Sequence, residues 1–341
     1  MTGTFESTNT LKGIAITAVL INHYLNRNLS GDYFGFATQW LSLFFMLSGY
    51  GIYLSLEKFS IENGKLTIKN ILSFYFLRIV RIFPLFIMAY ILQQILFDKE
   101  IYLYSLMGIH GTGHFWFVPA ILQCYLVSPL IYMLIYFNRL IALFLIVLLF
   151  IFSNYILNIQ LAQDAIVKAL NFVHLNWNNS YFLYIFIFSL SMFLPQYIQN
   201  WREVVKSEKY FHFFLFLSLI ILYMITVKWT EEFKLLYSYF VITLIPITLI
   251  GLMAIYLLCN RFHFMFFSWL GKRAYSIYLF HIIFYYLINL VFKYGRDSIK
   301  ELIITLSLFP LFLTFCYMLT VFSNKVSISL YELTGPLQAE Q

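Results

Sequence analysis

Two apolar stretches share one arrangement of ionisable residues. LKGIAITAVLINHY, residues 11–24, opens on Lys12 and reaches His23 after ten intervening residues. LGKRAYSIYLFHIIFYYL, residues 270–287, opens on Lys272 and Arg273 and reaches His281, with Tyr278 three residues before it on the same helical face. As helices, the first puts His23 about 16 Å beyond Lys12, at a rise of about 1.5 Å per residue. An imidazole with an ordinary pKa of about 6.5 is suited to proton transfer at neutral pH. An ionisable group that deep in an apolar helix is costly and marks a functional site by default. A neutral histidine hydrogen-bonded between helices is the other reading, and the residues alone leave both open.

SFYFLRIVRIFPLF, residues 73–86, adds Arg78 and Arg81, whose spacing of three turns both guanidiniums to one face. Two arginines and a lysine at one end of a helix group suit phosphate binding; ordinary anchoring by positive charge is the alternative. Pro84 follows within a turn and is expected to kink the helix. FFMLSGYGIYLS, residues 44–55, places Ser48 where its hydroxyl can reach His23 or a carbonyl of its own helix. Gly49 and Gly51 are expected to allow close helix packing. Three helices thus bring cations to one face and two bring histidines to mid-depth. An extended phosphorylated molecule with a reactive tip fits that geometry, and a coenzyme A thioester has that shape.

The elements that position these residues follow from composition. The 341 residues are 62% hydrophobic and only 11% charged, with mean hydropathy +0.81. A soluble chain carries about 25% charge, so the class is an all-α polytopic membrane protein. A span needs roughly 20 apolar residues. Ten are expected, near 11–26, 35–57, 74–97, 115–136, 140–157, 181–199, 210–228, 236–258, 274–292 and 301–322. The first lacks a small-residue cleavage site and is expected to be retained. With both termini in the cytoplasm, 14 of the 22 lysines and arginines fall inside and the other eight outside, which is the expected bias. The net charge of +7 is thereby explained by topology, and no nucleic-acid partner is expected. Cys124, Cys259 and Cys316 have no paired spacing, so neither disulfides nor a metal site are expected. One domain is expected over 1–325, with a tail over 326–341. The two longer outer loops, 97–114 and about 158–180, hold Gly, Asn, His and Trp suited to hydroxyl-rich molecules or to a membrane interface.

The ordered set of motifs resembles the integral-membrane acyltransferase-3 family, bacterial enzymes that O-acylate cell-surface glycans. Lys12 to His23 is similar to the family's basic residue, ten residues and histidine on the first helix. FFMLSGYGIYLS, the RxxR of Arg78 to Arg81, and WLGKRAYSIYLFH are similar to its later motifs, with Ala274 where Ser is common. HFWFVPAILQCYLVSPL looks like its tryptophan-bearing fourth-helix segment and brings forward His114, Trp116 and Gln123 as substrate-binding candidates. The resemblance implies a single multi-pass domain in the cytoplasmic membrane, acyl-CoA (usually acetyl-CoA) as donor, and a glycan or lipid-linked saccharide as acceptor. It implies catalysis by His23, and donor binding or support of the site by Lys12, Arg78 and Arg81, to which Lys272 and Arg273 are added. Ser48, Tyr278 or Trp116 would orient the base or stabilise the oxyanion, with His281 a second acid/base and an acyl intermediate on Ser48 the lesser route. Some members carry a carboxylate where this chain has Gln123, which argues against a His–Glu relay. The extracytoplasmic hydrolase-like domain of some members is expected to be absent.

The main rival is a transporter or flippase of a glycan or lipid-linked intermediate, which needs no coenzyme A. A polysaccharide polymerase is disfavoured, because the two larger outer loops hold only Lys99 and Lys168 as cations. A structural subunit of an envelope complex predicts replaceable histidines.

Overall fold

Backbone buried in hydrocarbon must satisfy its own N–H and C=O groups, and helices do so locally. The structure is a computed structural model that describes residues 2–28, 36–63, 66–108, 113–158, 179–207, 212–222, 239–292 and 299–333. Most of the outer loop expected over 158–180, and the last residues 334–341, lie outside them. Every regular element among the described residues is helical. In chain order these are α1 (Thr2–Asn28), α2 (Phe36–Asn63), α3 (Ile68–Leu96), the short α4 (Leu103–Leu106), a 3-10 turn (Gly113–Trp116), α5 (Phe117–Phe137) and α6 (Arg139–Asn158). Then follow α7 (Asn179–Ser191), α8 (Leu194–Ser207), α9 (His212–Leu222), α10 (Tyr239–Cys259), α11 (Met265–Gly271), α12 (Ala274–Phe292) and α13 (Ile299–Leu333).

Four stretches of the described residues are long and apolar enough to cross a membrane: Ile68–Leu96, His114–Phe137, Ala274–Val291 and Leu302–Leu330. The hydropathy reading expects ten spans, and several of the others fall on shorter apolar helices. The long helices α1 and α2 are not in that set, because polar residues such as Asn22, His23, Gln39 and Ser42 dilute them. Those two helices are central instead. α1 packs on α2, α10, α11 and α12, while α2 packs on α1, α5, α7, α8 and α10. Apolar α13 is peripheral, with only 17% of its most apolar stretch buried. It also runs through residue 325, where the domain boundary was expected, to Leu333.

The span expected over 181–199 is interrupted. Met192 and Phe193 form a turn between α7 and α8, their N–H groups bonded to Ser189 and Leu190 carbonyls. Pro195 suits the first turn of α8, where a missing N–H costs nothing. α8 is amphipathic, burying Ile198 and Val205 while Tyr197, Trp201 and Val204 face outward.

Proline leaves its mark on α3 and α5 without ending either helix. Pro84 has no N–H, so the carbonyl four residues earlier loses its helical partner. That carbonyl belongs to Val80, inside the Arg78–Arg81 turn, and Ser327 of α13 donates to it at 3.2 Å. Pro129 frees the Tyr125 carbonyl in the same way, and Ser128 fills it at 2.8 Å.

Glycine fixes two close helix crossings. A Cβ on Gly13 would lie 1.9 Å from the Phe267 carbonyl oxygen, and one on Gly271 would lie 1.8 Å from that of Asn9. The backbones of α1 and α11 therefore touch. Gly49 seats α2 against α7, where a Cβ would meet Ser191 Oγ at 2.1 Å and the Phe188 carbonyl oxygen at 2.2 Å. Gly51 does not play the packing part expected of it, since nothing lies within 4 Å of its Cβ position.

Gly13→Ala and Gly271→Ala should therefore destabilise by the upper part of roughly 1–3 kcal/mol, or more, because backbone rather than a flexible tip must move. Gly51→Ala should be neutral or stabilising by up to about 1 kcal/mol through helix propensity. Thermal unfolding in detergent separates the two cases; equal melting of all three variants would contradict the crossing.

Candidate active site

Helices α1 and α12 bring His23 and His281 together. Their ring centroids lie 5.0 Å apart, tilted by 46°. The 3-10 turn adds His114, whose ring stands 5.4 Å from His281 at 78°. Local hydrogen bonds hold this trio. His281 Nδ1 donates to the Tyr278 carbonyl at 2.6 Å, one turn back on α12. His114 Nε2 lies 3.2 Å from the Leu279 carbonyl, and the Tyr278 hydroxyl donates to the His114 carbonyl. Tyr285 donates to the Leu20 carbonyl at 3.1 Å, tying α12 to α1 one turn before His23. His281 is fully buried, and its Nε2 has no hydrogen-bond partner. Among the described residues no set of three His, Cys, Asp or Glu side chains is arranged to hold a metal ion.

A second group forms at the other end of the same helix. Lys12 lies within electrostatic reach of Arg81 and Arg78. Arg78 Nη2 donates to Ser55 Oγ of α2 at 3.0 Å. Its guanidinium sits 5.1 Å from the Phe74 ring centroid and 5.7 Å from that of Tyr125, and its Nε is buried without a partner. None of the three cations pairs with a carboxylate among the described residues. Three like charges in one place repel, so an anion bound there would relieve the group.

Tyrosines join the two groups. Tyr275 donates to the Ile82 carbonyl at 3.0 Å, fixing α12 on α3 just past the arginine turn. It lies in electrostatic reach of Tyr125, beside Arg78, and of Tyr278, beside His281. Tyr125, Tyr275 and Ser55 are site residues that motif reading missed. The spacing of three between Tyr275 and Tyr278 was the available signal.

The described contacts of the other expected residues do not run to the histidines. Ser48 is half-buried on α2, and no described hydrogen bond joins it to His23. Trp116 stacks on Tyr184 of α7 at 5.3 Å. Gln123 is not brought to the histidines. Its side-chain oxygen is buried without a hydrogen-bond partner, and no described contact joins it to them. Lys272 and Arg273 are held elsewhere than the cation group. Lys272 Nζ lies 3.4 Å from Glu6 Oε1, and Arg273 bonds the Trp269 carbonyl at 2.7 Å with its guanidinium between Trp269 and Tyr317. Glu6 also meets His263 Nε2 at 2.6 Å and Ser268 Oγ at 3.3 Å.

In comparison with known proteins, a family model described as an acyltransferase domain, the acyltransferase-3 type, matches residues 5–321. No curated protein and no solved structure matches the chain.

The Glu6 contacts carry a pH dependence. Burial pushes the Glu6 carboxyl up, but Lys272, by charge and hydrogen bond, together with His263 and Ser268, outweighs this and holds it below the ordinary 4.5. A depressed carboxyl contributes stability that is present above its unfolded value and lost as pH falls through its folded one. Melting temperature should therefore fall below pH 4.5 less steeply in Glu6→Gln than in the unaltered protein. Parallel pH profiles for the two would remove the contact from the account.

Proposed function

Because the chain belongs to the acyltransferase-3 family, we propose that this membrane acyltransferase moves an acyl group, first of all acetyl, from cytoplasmic acyl-CoA to a hydroxyl of a cell-envelope glycan or lipid-linked saccharide. The single observation that carries the reading is one helix, α1, that brings Lys12 to a cation group with no described carboxylate partner and His23 to the buried His114 and His281. Ten spans with both termini in the cytoplasm are part of the proposal, and they set the Lys12 end on the donor side.

In this reading the donor's phosphates rest against Lys12, Arg78 and Arg81. Its pantetheine arm follows Tyr125 and Tyr275 towards the histidines. His23 takes the proton of the acceptor hydroxyl as general base. The acceptor oxygen bonds the acyl carbon, the carbon–sulfur bond breaks, and the proton passes from His23 to the leaving thiolate. Tyr278 and His114 brace the site. Direct transfer is preferred over an acyl-serine, because an acyl-serine needs a base on the Ser48 hydroxyl and no described hydrogen bond joins that hydroxyl to a histidine.

Purified protein in lipid, given acetyl-CoA with and without crude envelope glycan, should release free CoA in a glycan-dependent way. His23→Ala should stay folded and lose about 100-fold or more of that turnover, the usual worth of a general base. Near-normal turnover in His23→Ala would refute the assignment. Charge reversal at the exposed Arg81 should raise the apparent KM for acyl-CoA with the melting temperature unchanged, whereas at Arg78, held by Ser55, Phe74 and Tyr125, it should also lower the melting temperature; loss of folded protein at Arg81 instead would make the arginines structural. Folded protein that neither binds nor cleaves acetyl-CoA would favour glycan transport.

A further inference from the structure

We propose that His281 is the positioning residue for His23, holding it in the working tautomer through a neutral imidazole where a carboxylate would otherwise serve. The inference rests on the acyltransfer reading above. A general base is effective when a third group fixes which of its nitrogens carries the proton. No described ion pair or hydrogen bond joins a carboxylate to these three histidines; the described histidine–carboxylate pair is His263 with Glu6.

The tautomer of His281 follows from its partner. A carbonyl oxygen only accepts, so the contact of 2.6 Å with Tyr278 requires a proton on His281 Nδ1. In the neutral ring Nε2 then bears a lone pair. That atom is fully buried and has no hydrogen-bond partner, a state that is costly unless something fills it. Of the two histidine rings beside His281, that of His23 is the nearer by centroid. An in-line N–H to N contact between two imidazoles sets their centroids roughly 5 Å apart, a hydrogen bond of about 2.9 Å plus the two ring radii. The observed separation is 5.0 Å, so the centroids already stand at that spacing, and a reorientation of the His23 ring would have to bring its N–H into line with Nε2, which meets no donor in the structure. His114 is the weaker alternative, since it is farther, at 5.4 Å, nearly perpendicular, and its Nε2 faces the Leu279 carbonyl.

With its N–H directed at His281 Nε2, His23 presents its own lone pair to the acceptor hydroxyl. The hydroxyl proton moves to that lone pair as the carbon–oxygen bond forms, and the resulting imidazolium keeps its hydrogen bond to His281. The proton then leaves to the thiolate sulfur released by carbon–sulfur cleavage. His281 gains and loses no proton, so it acts through His23 and is not itself a catalytic residue.

Two side chains separate this role from a structural one. Gln at 281 places a carbonyl oxygen near the Nε2 position, whereas Asn reaches only the Nδ1 position and can keep the tie to Tyr278. In lipid-reconstituted full-length protein, His281→Gln should retain kcat for CoA release within about 10-fold. His281→Asn should lose roughly 100-fold in kcat, with the KM for acetyl-CoA unchanged, as expected for an interaction expressed in the transition state. Asn as active as Gln would overturn the proposal and leave His281 a structural tie. A test independent of variants is nitrogen-15 NMR of histidine-labelled protein: His281 is expected as the Nδ1–H tautomer, and an Nε2–H tautomer overturns the proposal. If the unaltered protein releases no CoA, or His23→Ala equals it, the acyltransfer reading itself has failed, whatever the substitutions at 281 do.

Discussion

The contact on which the rest of the structure depends is the one between bare backbones at Gly13 and Gly271. Without side chains at the crossing, α1 lies directly on α11, and α12 begins three residues after the crossing at Ala274. The position of α1 relative to α12 is then set by main chain rather than by rotamers. The groups that α1 and α12 carry follow from it. Lys12 sits beside the crossing residue, His23 stands three turns along the same helix, and His281 comes from the helix that the crossing launches. In an apolar solvent that gives no hydrophobic drive between helices, close packing of small residues is the available way to fix such a geometry.

A second constraint is where polarity is allowed. α1 and α2 carry polar groups that lipid would not tolerate, and the fold answers by surrounding them with other helices. The same logic acts on single atoms. Pro84 frees one carbonyl within the arginine turn, and Ser327, from a helix that is otherwise mostly lipid-facing, fills it. The arginines are thereby held from two sides, by Ser55 of α2 through Arg78 and by α13 through Val80.

Much of this was legible in the residues. The Lys12 to His23 spacing, the Arg78–Arg81 pair and His281 are local patterns, and local patterns survive folding because a helix preserves them. The pairing of His23 with His281 needed only the guess that two similar helices are neighbours. What failed depended on rotation or on partners far along the chain. Gln123 lies in a motif that suggested the site, and its buried, unpartnered side-chain oxygen meets neither histidine by a described contact. Gly51 looked like its neighbour Gly49, but only one of the two faces α7. Lys272 looked free to bind a phosphate until Glu6, some 266 residues away, met it. The turn at Met192–Phe193 carries no glycine, and only Pro195 hinted at it.

The placement of Lys12 and His23 on one uninterrupted helix has a consequence for selectivity. α1 is continuous from Thr2 to Asn28, so no hinge lies between the cations and the imidazole. On the proposed reading the helix is a ruler: it measures the span between a donor's charged end and its reactive carbon. A thioester on a short truncated thiol would reach one mark only, however reactive it is, and a donor with a longer spacer would have to fold to fit. Length, read in helical turns, would then discriminate among donors before any contact with the acyl group is made.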